Sequence, residues 1–190
     1  LQIERPRLQS QGFRLACWSG DNPPPAEQLW LLDHAGLINA HRNQMLGQRQ
    51  LLIPKVDLLS DRLRKEMAIR IDAKQWEELR QALPQADKAL LEVYERLTYR
   101  IFRDAARPGA LLSLDRSAVQ GLRDLLGVLG PLPKPWDELS LTNPDQWASW
   151  AELDHQLLKW DWKLEPLEPL ELLEGLLRNR PVLMLSETGE

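Results

Sequence analysis

Arg96, Arg100, Arg103 and Arg107 recur at spacings of four, three and four residues. On a helix that spacing puts all four on one face. The four guanidinium groups then span roughly 16 Å, at about 1.5 Å of rise per residue. A guanidinium is a planar fork of donors that matches phosphate geometry, so the stripe has the chemistry to follow a run of nucleic-acid phosphates. The competing reading is a solvated helix face whose arginines pair with Glu92, Glu95 or Asp104. A second basic group, Arg62, Arg64, Lys65 and Arg70, is mixed with acids and carries less. The other chemical signal lies near the end of the chain, where the apolar run 182–185 opens into Ser186-Glu187-Thr188. Hydroxyls at the carboxyl end of a strand stand where parallel α/β sheets place working residues. Trp76, Trp136 and Trp160 abut charged or proline-rich sequence. If exposed, they would stack on unpaired bases. Core packing is the expectation for most of the eight tryptophans.

Several chemistries are excluded. No GxxxxGK[ST] occurs, so the chain has no backbone cradle for nucleotide phosphates and is not expected to hydrolyse ATP alone. Neither GxSxG nor HExxH is present, and His34, His41 and His155 lack metal-ligand spacing. The single cysteine, Cys17, allows no intrachain disulfide and no cysteine metal cage. Glu165, Glu168, Glu171 and Glu174, three residues apart, read as a solvated helix face. A net charge of -4 advertises no global basic field. No apolar run reaches transmembrane length and no signal peptide is evident, so no membrane role and a cytoplasmic setting are expected. A first residue that is Leu rather than Met predicts either a processed chain or, the favoured expectation, an excised piece of a longer protein.

The elements that must position these residues alternate at first. Strands are expected at 13–18, 29–32 and 50–53, with helices at 35–43 and 57–68. Helices follow at 72–83, started by Asp72 with Gln75 as a capping box, and at 86–106, with Leu90, Tyr94, Leu97 and Ile101 as its apolar face. Asp115 or Ser113 is the expected cap of a helix running to 127. Thr142 or Asn143 is the expected cap of another, with Trp147, Trp150 and Leu153 on one side. A strand at 160–164, which either joins the sheet, pairs at its edge or leads into it, a helix at 167–178 and a strand at 182–185 close the chain. The expected fold is α/β and mostly helical. A small, largely parallel sheet is contributed by 1–71 and 157–190, and an all-helical insertion fills 72–156.

This layout resembles the first motor domain of a DinG/XPD-type superfamily 2 DNA helicase, in its divergent cyanobacterial form. LWLLDHAGLI at 29–38 looks like the strand and turn after which such helicases hold DNA. QLLIPKVDLLSDRLRKEM at 50–67 sits where the family has its Asp-Glu-Ala-His strand and helix. Ser186-Glu187-Thr188 looks like motif III, Ser-Ala-Thr, which gives Ser186 and Thr188 a coupling role. The resemblance implies a partial RecA-like motor with 72–156 as a helical arch. It also implies that ATP and magnesium serve only a complete parent motor, with no cofactor in this chain. The acidic box is degenerate, because Pro54, Lys55, Val56 and Asp57 fill it. Proline replaces the metal-binding aspartate and lysine the catalytic glutamate.

Two functions follow as expectations. One is a non-catalytic segment of an ATP-dependent helicase-like protein that contributes single-stranded DNA contacts and couples the ATP site to DNA. The other is a helical scaffold domain with a protein partner or self-association and no nucleic-acid binding, for which aromatic anchors are suited.

Overall fold

The computed structural model describes residues 4–21, 24–104, 111–114, 116–154, 156, 158–178 and 180–186. In chain order the elements begin with α1 (Glu4–Ser10), β1 (Leu15–Cys17), β2 (Leu29–Leu31), α2 (His34–Arg42), β3 (Leu51–Pro54) and α3 (Leu59–Met67). They continue with β4 (Ile69–Ile71), α4 (Ala73–Ala82), α5 (Asp87–Asp104), β5 (Leu111–Ser113), α6 (Arg116–Val128) and α7 (Trp136–Ser140). Last come β6 (Trp147–Asp154), β7 (Lys159–Pro166), α8 (Pro169–Leu172), α9 (Glu174–Arg178) and β8 (Val182–Leu185). The class is mixed α/β, with helix predominating and the sheets small. Two compact units divide the chain: Leu1–Met67 with Glu168–Glu190, and Ala68–Leu167.

In the first unit, β1 pairs parallel with β2, and β3 pairs parallel with β8. Both ladders have two strands. Asp33 caps α2, its carboxylate accepting from the Gly36 amide at 2.7 Å. Gly20 lies against α2 at φ 85°, where a Cβ would sit 2.7 Å from the Ala40 nitrogen. A side chain fits there neither by conformation nor by space. Buried Leu59, Leu63 and Met67 of α3, at the predicted four-residue spacing, supply much of this unit's core.

The second unit is built on a four-stranded antiparallel sheet, ordered β4-β7-β6-β5. Along β7, residues alternate between buried Trp160, Trp162 and Leu164 and half-exposed Asp161 and Lys163. That period of two is what a sheet with one covered face requires. On its covered side, Trp76 of α4, Tyr94 of α5 and Trp136 of α7 meet the tryptophans of β7. Trp76 and Trp136 pack edge-on at 4.7 Å, Tyr94 stacks on Trp160 at 5.7 Å, and Trp136 meets Trp162 at 6.5 Å. Three indoles find acceptors: Trp136 Nε1 donates to the Gln75 carbonyl at 3.0 Å, Trp160 to Thr98 Oγ1 at 2.9 Å, and Trp162 to Ser149 Oγ at 2.8 Å. Buried aromatic pairs of this geometry add roughly 0.5–1.5 kcal/mol each beyond the area they bury. The opposite face carries charge, with Arg70 paired to Asp161 at 2.6 Å and Lys163 to Glu152 at 2.5 Å.

Several expectations are corrected. The stretch 72–156 is not all-helical, because β5 and β6 lie inside it. Residues expected to form a helix after Thr142 or Asn143 form β6, since pairing with β7 across a short connection satisfies their backbone. The largest sheet is antiparallel rather than parallel. The strand near 160–164 runs from 159 to 166 and belongs to this sheet, not to the ladder of β8, so 157–190 does not return as one piece. Glu165 lies on β7 rather than on a helix. The helix expected at 167–178 is two short helices that break at Leu173. By contrast, the capping box at α4 is present in full, with Asp72 Oδ1 accepting from the Gln75 amide and Gln75 Oε1 from the Asp72 amide. Among the described residues, no helix is long and apolar enough to cross a membrane.

Candidate functional site

Asp57 and Ser186, which the resemblance assigns to an acidic box and to motif III, come together in the first unit. Parallel register places Pro54 beside Leu185. Pro54 ends β3 because its ring leaves no amide for a longer ladder. Lys55 then takes a left-handed conformation, φ 56° and ψ 49°, and opens a single 3-10 turn over Val56–Leu58. That turn swings Asp57 back toward the strand ends. Ser186, the residue after β8, donates its hydroxyl to Asp57 Oδ2 at 2.7 Å. A left-handed lysine costs on the order of 1 kcal/mol, so this corner holds its shape against a local preference. Thr188 and Glu187 lie outside the described residues.

This corner does not fit magnesium. Divalent magnesium takes oxygen ligands in octahedral array, with carboxylates among them. Asp57 is the one carboxylate of the box, and it already accepts from Ser186. Pro54 offers no side-chain donor atom, and the Lys55 ammonium repels a cation. Among the described residues, no group of three or more His, Cys, Asp and Glu is arranged to hold a metal.

At the other end of β8 stands a pair that sequence reasoning missed. Arg180 precedes Pro181, whose carbonyl accepts from the Leu51 amide at 3.0 Å. Two of its guanidinium nitrogens, Nε and Nη1, are buried without an acceptor among the described residues. His41 of α2 is held below the usual imidazole range, first by burial and then by the positive charges of Arg180 and Arg42. The imidazole therefore prefers its neutral form. An arginine just before a proline-led strand is the only sequence signal for this pair, and it is a faint one.

The arginine stripe lies in the second unit. Leu90, Leu97 and Ile101 of α5 are buried, Arg96 and Arg103 are exposed, and Arg100 is half-buried. The helix is thus oriented as its periodicity predicts. Arg107 lies outside the described residues. The anticipated pairing with Asp104 is present at Arg103, whose Nε reaches Asp104 Oδ1 at 2.8 Å. This contact raises the Arg103 pKa and lowers that of Asp104. The pair is open to solvent, where such contacts contribute little and compete weakly with another anion. Exposed Tyr99 lies beside it, with the Arg103 guanidinium carbon 6.0 Å from the ring centroid.

The tryptophans put forward as base-stacking platforms are not on the surface. Trp76, Trp136 and Trp160 are 2 %, 0 % and 3 % exposed. Their charged neighbours in sequence misled, because on α4, α7 and β7 those neighbours point the other way. Tyr99, 68 % exposed, is the large aromatic side chain presented beside the stripe.

No protein-family model matches this chain, and no curated protein matches it.

Proposed function

We propose that this chain is a non-catalytic segment of an ATP-dependent DNA helicase-like protein of the DinG/XPD type. On this reading it contributes single-stranded DNA contacts and part of the link between an ATP site elsewhere in the parent protein and the DNA. The bond from Ser186 to Asp57 carries the reading. It joins the residue after one parallel strand to the turn after its neighbour, at the positions where the resemblance puts motif III and the acidic box. A displacement of either strand end is then felt at the other. The two parallel ladders are read as part of a RecA-like sheet, and a cytoplasmic setting accompanies the reading. ATP and magnesium belong to the parent motor, since the box in this chain lacks the carboxylates they need.

The arginine stripe is the proposed DNA contact, with Arg96, Arg100 and Arg103 of α5 and, beyond it in sequence, Arg107 as the phosphate-binding residues and Tyr99 offering a stacking face. Anisotropy of a labelled single-stranded oligonucleotide, followed across salt concentrations, tests it. The expected result is binding that weakens steeply with salt, because phosphate contacts release counterions. Changing the four arginines to Ala should then lower the salt slope by roughly 0.7 for each phosphate of the single strand that an arginine had neutralised. Binding that is absent at low salt, or identical in the variant, overturns it.

One observation favours the second reading, a protein-interaction domain without nucleic-acid binding. Along the β3–β8 ladder, Leu52, Leu183 and Leu185 are 62 %, 49 % and 46 % exposed. Parallel strands are ordinarily covered on both faces, and apolar surface of this kind marks association. Concentration-dependent sedimentation that collapses to monomer in Leu183→Lys, with no oligonucleotide binding, selects this reading.

A further inference from the structure

The second unit holds a cleft of about 500 Å³ between α6, the loop before β6, and the β5–β6 edge of the sheet. That volume lies in the range of small-ligand sites. Arg116, Val119, Gln120 and Arg123 line it, at positions i, i+3, i+4 and i+7 of α6, so they form one helix face. The two guanidinium groups stand two turns apart along that face.

Arg123 is the unusual member. It is half-buried, and its Nη1 and Nη2 both donate to Thr142, the second to Oγ1 at 2.6 Å. Those partners are neutral. Its Nε is buried without an acceptor, and no carboxylate of the described residues pairs with it. Burial without a compensating charge accordingly pulls its pKa down. A desolvated cation lacking an anion is an unfavourable arrangement, and here it borders an open cleft rather than a packed core. Among the described lining residues the acid is Asp145, exposed on the loop before β6.

The cleft also offers hydroxyls. Ser149 accepts from Trp162 Nε1 through its oxygen, which leaves its own proton available to donate toward the cleft. Ser113 lines the same wall. The exposed Arg116 fork and the two hydroxyls supply directed donors, and Arg123 supplies an uncompensated positive charge; together they suit an anion with several acceptor oxygens, as a phosphate group has. We infer that the Arg116–Arg123 face of α6 binds the phosphate group of a small phosphate-bearing molecule. The inference does not depend on the helicase reading, which places its DNA contacts on α5.

Pyrophosphate is the probe. Titration calorimetry against the full chain should give saturable binding, and the ligand should raise the melting temperature. Arg116→Glu reverses an exposed charge without touching the core, so it should melt like the parent and bind at least about tenfold more weakly. Arg123→Met removes the desolvated cation and should abolish the pyrophosphate-induced rise in melting temperature. Should removal of the bonds to Thr142 unfold that variant, Arg116→Glu decides alone. No saturable binding to the folded parent, or binding unchanged in Arg116→Glu, overturns the inference. So does pyrophosphate competing a single-stranded oligonucleotide off the cleft, because the occupant is then a polymer phosphate.

Discussion

The two units solve the same problem, covering the faces of a sheet, to different extents. In the second, four antiparallel strands present one face to α4, α5 and α7, and five tryptophans there fall below a tenth exposed. The other face is finished with ion pairs between neighbouring strands. In the first, two parallel ladders of two strands each leave leucines of β3 and β8 about half exposed. The difference follows from pairing direction. Antiparallel strands join through short connections and finish one face within a few dozen residues. Parallel strands need crossovers and layers on both sides. The second unit therefore covers one face of its sheet completely, while the first leaves apolar side chains of β3 and β8 in the open.

The largest expected effect tests that contrast directly. Trp162→Ala empties a fully buried site on β7, beside Trp136 of the aromatic cluster, and should cost about 3–5 kcal/mol. Hydrogen exchange should then show amides of β6 and β7 losing protection while those of β3 keep theirs. If β3 loses protection in step, the two units unfold as one and the comparison fails.

A smaller loss is expected in the first unit. Gly20→Ala forces a left-handed alanine against the backbone of α2 and should cost roughly 1–3 kcal/mol. Gly12 has the same φ of 85° and open space around it. Gly12→Ala therefore isolates the conformational part, and urea midpoints of the two variants measure how tightly loop and helix meet. Equal midpoints would show that the close approach at Gly20 contributes nothing.

The smallest effect concerns pH. Because the folded His41 pKa is depressed, the unfolded chain takes up a proton near pH 6.5 while the folded unit still refuses it. Stability is then complete above about pH 6.5 and declines as pH falls from there toward the depressed value. Thermal melts of the parent and His41→Gln between about pH 7.5 and 5.5, the range that brackets the ordinary imidazole value, should diverge, with the variant flatter. Parallel curves would show that neither burial nor the charges of Arg180 and Arg42 depress that histidine.

Legibility in the sequence followed the range of the interactions. Strands β1, β2, β3 and β8 are apolar runs bounded by proline, glycine or polar residues, and each was readable locally. So were α4, with Asp72 and Gln75 three residues apart, and the buried stripe of α5. Strand β6 was not, because Trp147, Trp150 and Leu153 recur every three residues and imitate a helix, while the deciding partner is β7. Strands β4 and β5 have three residues each, too few to show a period. At the candidate site, Asp57 and Ser186 were each visible as residues of interest, but they are 129 positions apart and only folding shows that they touch. Arg123 gave no signal, because a desolvated guanidinium is a property of its neighbours rather than of its own letter.

That separation of 129 positions bears on the order in which the chain folds. Closing so long a loop from an unfolded chain is costly and slow, and each halving of the effective loop relieves about 0.6 kcal/mol. The pairing of Ile69 with Leu164 brings the first and last strands of the second unit side by side. Once that unit is folded, the path from β3 to β8 runs across a short bridge instead of through a long stretch of loose chain. The inserted unit then shortens the loop that pairing β3 with β8 has to close. The bond between Ser186 and Asp57 would be among the last to form and the first to open.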